Sequence, residues 1–376
     1  VTIHSRTDYL AALHALGICV SARIPVLLWG NPGEGKTAAV ESVAAHGWLV
    51  ETVIITHSEP SDFAGLPVIR PDGTVALAPP AWATRLRDHP GRSIAFFDEF
   101  STASPSLQAA ALRPLTHYEV GALRLPETVA FVAAANPADV AAAGWELAPP
   151  TASRFVHLDW GMPADVYSEG IVTGRWPAMP AYDEPLTYPR ALEEERVLLA
   201  GFLRARESQL SVIPASAAQR GRAFPTPRTW DYATRLAAFG RAVDAPEEVI
   251  RLLIAGCVGD AAAFEYARWR AAQELPDPDA LLADPEAADF VGARADRVYV
   301  SLQAVVAAVA RDLTPERWAA AITVCARAAR DSGIDAAVPA VRALLRPDLR
   351  PTGAPVPASI AVFAPALALA GLLPAA

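Results

Sequence analysis

Ile24-Pro25-Val26-Leu27-Leu28-Trp29 runs uncharged into Gly30-Asn31-Pro32-Gly33-Glu34-Gly35-Lys36-Thr37, and residues 37–47 then read as a helix. A short apolar run of this kind suits a buried strand of a parallel sheet. Gly-x-x-x-x-Gly-Lys-Thr between a strand and a helix is the loop that wraps its backbone N–H groups around phosphates. The glycines let the backbone turn inward, and the helix N-terminus adds partial positive charge. Asn31, Pro32, Gly33, Glu34, Gly35, Lys36 and Thr37 are therefore the expected nucleotide-binding residues. Lys36 would reach the β- and γ-phosphates of ATP, and the Thr37 hydroxyl would meet Mg²⁺. Among the 32 basic residues, Lys36 is the only lysine; every other one is arginine. A compact ammonium on a flexible stem differs from a planar guanidinium, so this exception fits a site closed to arginine.

Further along, Ile94-Ala95-Phe96-Phe97 delivers Asp98-Glu99 to the end of another apolar strand. Ligands of open α/β sheets bind at that edge. Asp98 is expected to hold Mg²⁺ and Glu99 to polarise the attacking water. Residues 128–135 form a third apolar strand that ends on Asn136-Pro137, where an amide can position water near the γ-phosphate. Strands at 49–55 and 154–158 complete a set of five, alternating with helices at 5–22, 37–47, 81–88 and 106–117. That alternation predicts an α/β fold with a parallel sheet covered on both faces. Two hairpins interrupt it, at 68–77 around Asp72-Gly73 and at 119–125. From Tyr188 the periodicity turns wholly helical, with helices expected at 192–210, 229–242, 246–273, 298–312 and 314–330. Three regions follow: a nucleotide-binding core at 1–188, a helical lid at 189–346 and a Pro/Ala-rich tail at 347–376.

The chain has 376 residues, 52% of them hydrophobic and 19% charged, which suits two folded domains and not a disordered chain. A formal net charge of −9 argues against a strong nonspecific nucleic-acid binder. Cys19, Cys257 and Cys325 have no metal-like spacing and read as small core residues of a cytoplasmic protein. No His/Cys/Asp grouping has zinc spacing, and His57, His117 and His157 read as polar surface or partly buried rings. The uncharged stretch from Ala354 to Ala376 contains four prolines and reads as a capping helix or strap, not a membrane span.

Together, the Gly30–Thr37 loop, Asp98-Glu99, Ala135-Asn136-Pro137, Ser153-Arg154-Phe155 and Pro227-Arg228-Thr229-Trp230 resemble the AAA+ ATPases, and among them the MoxR-like group. The stretch Glu59 to Pro67 resembles a segment that this group carries after its second strand. The resemblance covers roughly residues 5–345. It implies a P-loop αβα core with a parallel five-stranded sheet, followed by an all-α lid. It implies that Glu99, Asn136, Arg154 and Arg228 are catalytic: Asn136 as sensor 1, Arg154 as the arginine finger reaching a neighbouring subunit's ATP, and Arg228 as sensor 2 over its own. Ser153 departs from the family pattern, which often has Asp there, and Arg113 and Arg235 are alternative arginines.

The same resemblance implies a Mg²⁺-dependent ATPase assembled as a homo-hexamer and acting as a chaperone-like ring on a protein partner, such as one with a von Willebrand factor A domain. Two other functions stay open. One is a motor subunit of a restriction- or defence-type nucleic-acid complex. The other is a nucleotide-switched scaffold with little turnover. GTP preference is not expected, because the single lysine excludes a guanine-reading Asn-Lys-x-Asp motif.

Overall fold

The computed structural model describes residues 3, 5–137, 145–273 and 275–369. The first helix, α1 (Arg6–Ser21), starts on a capping box in which the Ser5 hydroxyl accepts from the Asp8 N–H. Next come β1 (Val26–Trp29), α2 (Lys36–Glu41) and β2 (Leu49–Ile54). A single turn, α3 (Ser61–Ala64), leads into the hairpin β3 (Leu66–Ile69) and β4 (Val75–Ala78). Then follow α4 (Ala81–Asp88), β5 (Ser93–Asp98) and α5 (Pro105–His117). A second small hairpin, β6 (Glu119–Val120) and β7 (Leu123–Arg124), precedes β8 (Val129–Ala135). The short α6 (Pro149–Ala152), β9 (Val156–Asp159) and α7 (Ala164–Thr173) close this part.

Five strands form one parallel sheet in the order β2-β5-β8-β1-β9. Both faces are covered, so β1 and β8 are buried at every position. This is why their sequences are continuous apolar runs rather than alternating ones. Side chains still alternate between faces. Phe97, Phe131 and Trp29 point to one side, where Phe63 and Trp82 pack edge-on against Phe97 at centroid distances of 5.4 and 5.9 Å. The register sets Trp29 opposite Ala135 and Phe97 opposite Ala133. The three central strands therefore end together, and Gly30, Asp98 and Asn136 leave the sheet side by side.

Beyond Tyr188 the chain is helical: α8 (Tyr188–Ala205), the single turn α9 (Ala217–Arg220), α10 (Pro227–Ala242), α11 (Glu247–Val258) and α12 (Asp260–Ala271). After these come α13 (Pro278–Ala283), α14 (Ala295–Arg311), α15 (Pro315–Ser332), α16 (Val338–Leu344) and α17 (Ala364–Leu369). The single helix expected over 246–273 is two. Gly259 sits at φ 82° and ψ 157°, a conformation only glycine adopts freely, and the chain turns there. Helix α7 was not anticipated.

The switch in periodicity at residue 188 marks a change of secondary structure, while packing divides the chain differently. One compact unit comprises 1–192 with 209–265, so α10 and α11 belong with the sheet; α11 lies along α1 and β9. The second unit comprises 193–208 with 266–376. Its core is built by α14, α15 and α16 around Trp318, and Phe363 and Leu367 of the tail are buried in it. Glu195, only 1% exposed, is held there by Arg270 at 2.7 Å to both carboxylate oxygens. Residues 370–376 of the expected tail lie outside the described residues. Among the described residues, no helix is long and apolar enough to cross a membrane.

Candidate functional site

The Gly30–Thr37 loop leaves β1 and closes on α2. Gly33 and Gly35 adopt φ 80° and 76°, left-handed conformations that glycine takes without strain and that a phosphate-cradling loop needs. At Gly30 the reason for glycine is space: a Cβ there would stand 2.5 Å from the Trp160 carbonyl oxygen. Glu34 folds back to brace the loop. Its carboxylate accepts from the Asn31 backbone N–H at 2.8 Å and the Asn31 side-chain amide at 2.9 Å. Its carbonyl accepts from the Trp160 indole at 3.1 Å.

Lys36 is 7% exposed. Its Nζ donates to the carbonyls of Gly30 and Asn31 at 2.6 and 2.9 Å and to Asn136 Oδ1 at 3.0 Å. Burial lowers its pKa, against the opposing pull of Asp98 and Glu34. The Thr37 hydroxyl donates to Asp98 Oδ2 at 2.8 Å. Asp98 Oδ1 accepts from the Glu99 N–H at 2.8 Å. Lys36, Thr37, Asp98, Glu99 and Asn136 thus gather at the ends of three adjacent strands.

Glu99 has φ 59° and ψ 35°, a left-handed conformation that costs a non-glycine residue about 1–2 kcal/mol. That turn directs its carboxylate towards Thr56, whose hydroxyl donates to Oε2 at 2.5 Å. Thr56 follows β2, the strand beside β5, and its part in the site is invisible to motif reading. Ser101 is a second such residue: buried, its Oγ accepts from the Asn136 backbone N–H at 3.1 Å and holds the main chain there in place.

Arg154 and Arg228 make a separate group. Arg228, on the first turn of α10, donates to Ser153 Oγ at 3.2 Å. Arg154 donates to the Pro150 carbonyl, and its Nε is buried without a hydrogen-bond partner. Burial, and then the positive charge of Arg228, lower the Arg154 pKa. The alternative arginines are engaged elsewhere, Arg113 with Glu119 at 2.8 Å and Arg235 with Asp231 at 3.8 Å.

A buried chain of hydrogen bonds runs from the phosphate loop's strand to the turn bearing Arg154. The Trp29 indole donates to His157 Nδ1 at 2.9 Å, and His157 Nε2 lies 2.9 Å from the Ala152 carbonyl. With Nδ1 accepting, the proton sits on Nε2 and donates to that carbonyl. His157 is a fully engaged core histidine, not the polar surface or partly buried ring expected from sequence. Burial pushes its pKa from 6.5 down to about 4. Between those values the unfolded chain binds a proton that the folded chain does not. Stability is therefore complete above pH 6.5 and falls as pH drops towards 4, by about 3 kcal/mol from this residue. His157→Gln should flatten that slope. Urea midpoints of both proteins at pH 7 and 4.5 check it; an unchanged slope would show that His157 is not held neutral.

Among the described residues, no group of three His, Cys, Asp or Glu side chains is placed to hold a metal ion alone. Mg²⁺ beside a nucleotide needs only one or two protein oxygens, with phosphates and water supplying the rest. The Thr37 hydroxyl and Asp98 carboxylate, already in contact, fit that donor set.

Residues 25–155 match the family model described as AAA domain (dynein-related subfamily). No curated protein compared with the chain matches it. A solved protein of Cytophaga hutchinsonii, described as a proposed ATPase, is 15% identical; the match covers 67% of this chain and 84% of that one with a TM-score of 0.40. The sheet order and the helical region after it, together with the matched segment, make the fold a P-loop αβα core followed by helices.

Proposed function

We propose, from the match of residues 25–155 to an AAA domain model and from the site's geometry, that the chain hydrolyses ATP as a MoxR-like subunit of an oligomeric ring that remodels a protein partner. The observation that carries hydrolysis, beyond binding, is the convergence of five groups at one sheet edge. Lys36 neutralises phosphate charge. Thr37 and Asp98 supply the oxygens for Mg²⁺, which when bound would offset charge on the β- and γ-phosphates. Glu99 accepts the proton of the attacking water, and Asn136 orients that water. Catalysis of this kind is positioning plus electrostatics.

The ring reading is supported by Arg154 and Arg228. Two guanidinium groups held near each other, one with a buried and unpartnered Nε, favour an incoming anion. The resemblance puts Arg228 over its own subunit's phosphates; its bond to Ser153, beside Arg154, favours a different reading, in which the pair serves one phosphate group of a neighbouring subunit. A protein partner is supported by the first hairpin, where Leu66, Val68, Ile69 and Val75 are exposed at 49–77%. Exposed apolar residues grouped on one hairpin favour protein contact over solvent. A cytoplasmic setting is part of this proposal.

Mixing two inactive variants tests the shared site. Arg154→Ala keeps its own loop but cannot complete a neighbour's site, while Glu99→Gln does the reverse. In randomly mixed oligomers about one site in four pairs an intact loop with an intact arginine, so mixed protein should regain up to about a quarter of wild-type phosphate release. No recovery in assembled mixtures would mean that Arg154 acts within its own subunit or not at all. A strong rise in turnover on adding DNA would instead favour the nucleic-acid motor.

A further inference from the structure

The first unit contains another arginine beside the phosphate loop. Arg222, in the segment between α9 and α10, sits over the Trp29 indole with its guanidinium carbon 4.1 Å from the ring centroid. Trp29 immediately precedes Gly30, so Arg222 stands against the base of the loop. Its Nη1 donates to Asp159 Oδ1, at the end of β9, at 3.0 Å. It also lines a cavity of about 330 Å³ together with Ser101, Asn136 and Trp145. Asn136 is the residue whose amide oxygen receives Lys36 Nζ at 3.0 Å. A guanidinium therefore shares one cavity with the amide at the phosphate end of the site.

We propose that Arg222 contacts the terminal phosphate of the nucleotide bound by its own chain, leaving Asp159 to turn into this cavity. The proposal rests on the ATP reading above. Three physical points carry it. The cation–π contact with the indole holds the guanidinium in place and uses none of its N–H hydrogen-bonding capacity. The tether to Asp159 is weak, because both side chains are about two-fifths exposed, and solvent-exposed ion pairs of this kind hold little. A triphosphate offers several negative oxygens against the single charge of Asp159, and guanidinium pairs with phosphate in two parallel hydrogen bonds. ADP lacks the group that would draw Arg222 off Asp159. Arg222 is thus a residue that separates ATP from ADP within one subunit, whereas Arg154 and Arg228 are proposed to act on a neighbour.

The test compares equilibrium affinities for ADP and for a non-hydrolysable ATP analogue in the full chain, with wild type, Arg222→Ala, Arg222→Gln and Asp159→Asn. Loss of one charged contact should weaken the analogue by about tenfold or more in both Arg222 variants. ADP affinity should stay within about twofold, which a general collapse of the loop would not allow. Asp159→Asn, by releasing the arginine, should tighten the analogue and not ADP. Equal losses for the two nucleotides would overturn the proposal and make Arg222 a support for Trp29; no change for either would overturn it as well. Lys36→Ala serves as the separate control. If wild type binds neither nucleotide, the ATP reading fails with everything built on it. If wild type binds both, Lys36→Ala binds neither, and Arg222→Ala still matches wild type, Arg222 alone is refuted.

Discussion

Glu99→Gln is expected to slow phosphate release by about 10²–10⁴-fold while ATP stays bound, the range lost when a positioned general base is removed. The substitution is nearly isosteric. Glutamine can keep the Thr56 hydrogen bond through its amide oxygen, and it meets the backbone at φ 59° with the same steric cost. The Thr37–Asp98 contact does not involve it. What disappears is the carboxylate's ability to take a proton from water. Hydrolysis should therefore fail with binding intact, and single-turnover assays on filter-retained ATP separate the two. Unchanged turnover would remove Glu99 from the reaction and reopen the scaffold reading, in which nucleotide acts only as a switch. Trapped ATP with assembled protein would also supply the state in which to capture a partner.

The residues that converge at the candidate site were legible where they are contiguous along the chain. A loop of eight residues and two strand ends carry Lys36, Thr37, Asp98, Glu99 and Asn136, and their apolar approaches reveal the strands because a doubly covered sheet needs unbroken hydrophobic runs. Residues whose role depends on strand order were not legible. Thr56 matters because β2 lies beside β5, and nothing local to Thr56 states that neighbour. His157 looked like one of several scattered histidines, although its bonds to Trp29 and Ala152 span 128 and 5 residues. Arg222 was hidden for a different reason: in a chain that uses arginine for nearly every cation, identity carries no information and only position does. The helical region shows the same limit. Periodicity found α10 and α11 but not that they pack with the sheet, and it ran through Gly259, because a single glycine within a helical pattern is tolerated at a modest cost.

Lys36→Arg, a substitution that keeps the charge, is expected to lower ATP affinity by on the order of 10²-fold, the scale of losing a buried charged contact. The Lys36 ammonium directs its three N–H bonds at three acceptors, the carbonyls of Gly30 and Asn31 and the Asn136 amide, at 2.6, 2.9 and 3.0 Å. Those acceptors surround one point, and a tetrahedral nitrogen reaches all of them. A guanidinium spreads its five N–H groups in a plane over a larger volume and cannot converge on such a point. The residue is 7% exposed, so the extra atoms would have to displace the loop or Asn136. Binding titrations with ADP and an ATP analogue read the loss, and an unchanged melting profile would show that the fold survives it. Affinity within about threefold of wild type would mean that charge alone is needed here. The sequence already leans against that outcome. Every other basic position in the chain is arginine, so the one lysine stands where three oxygens converge on a single nitrogen and a planar fork has no room.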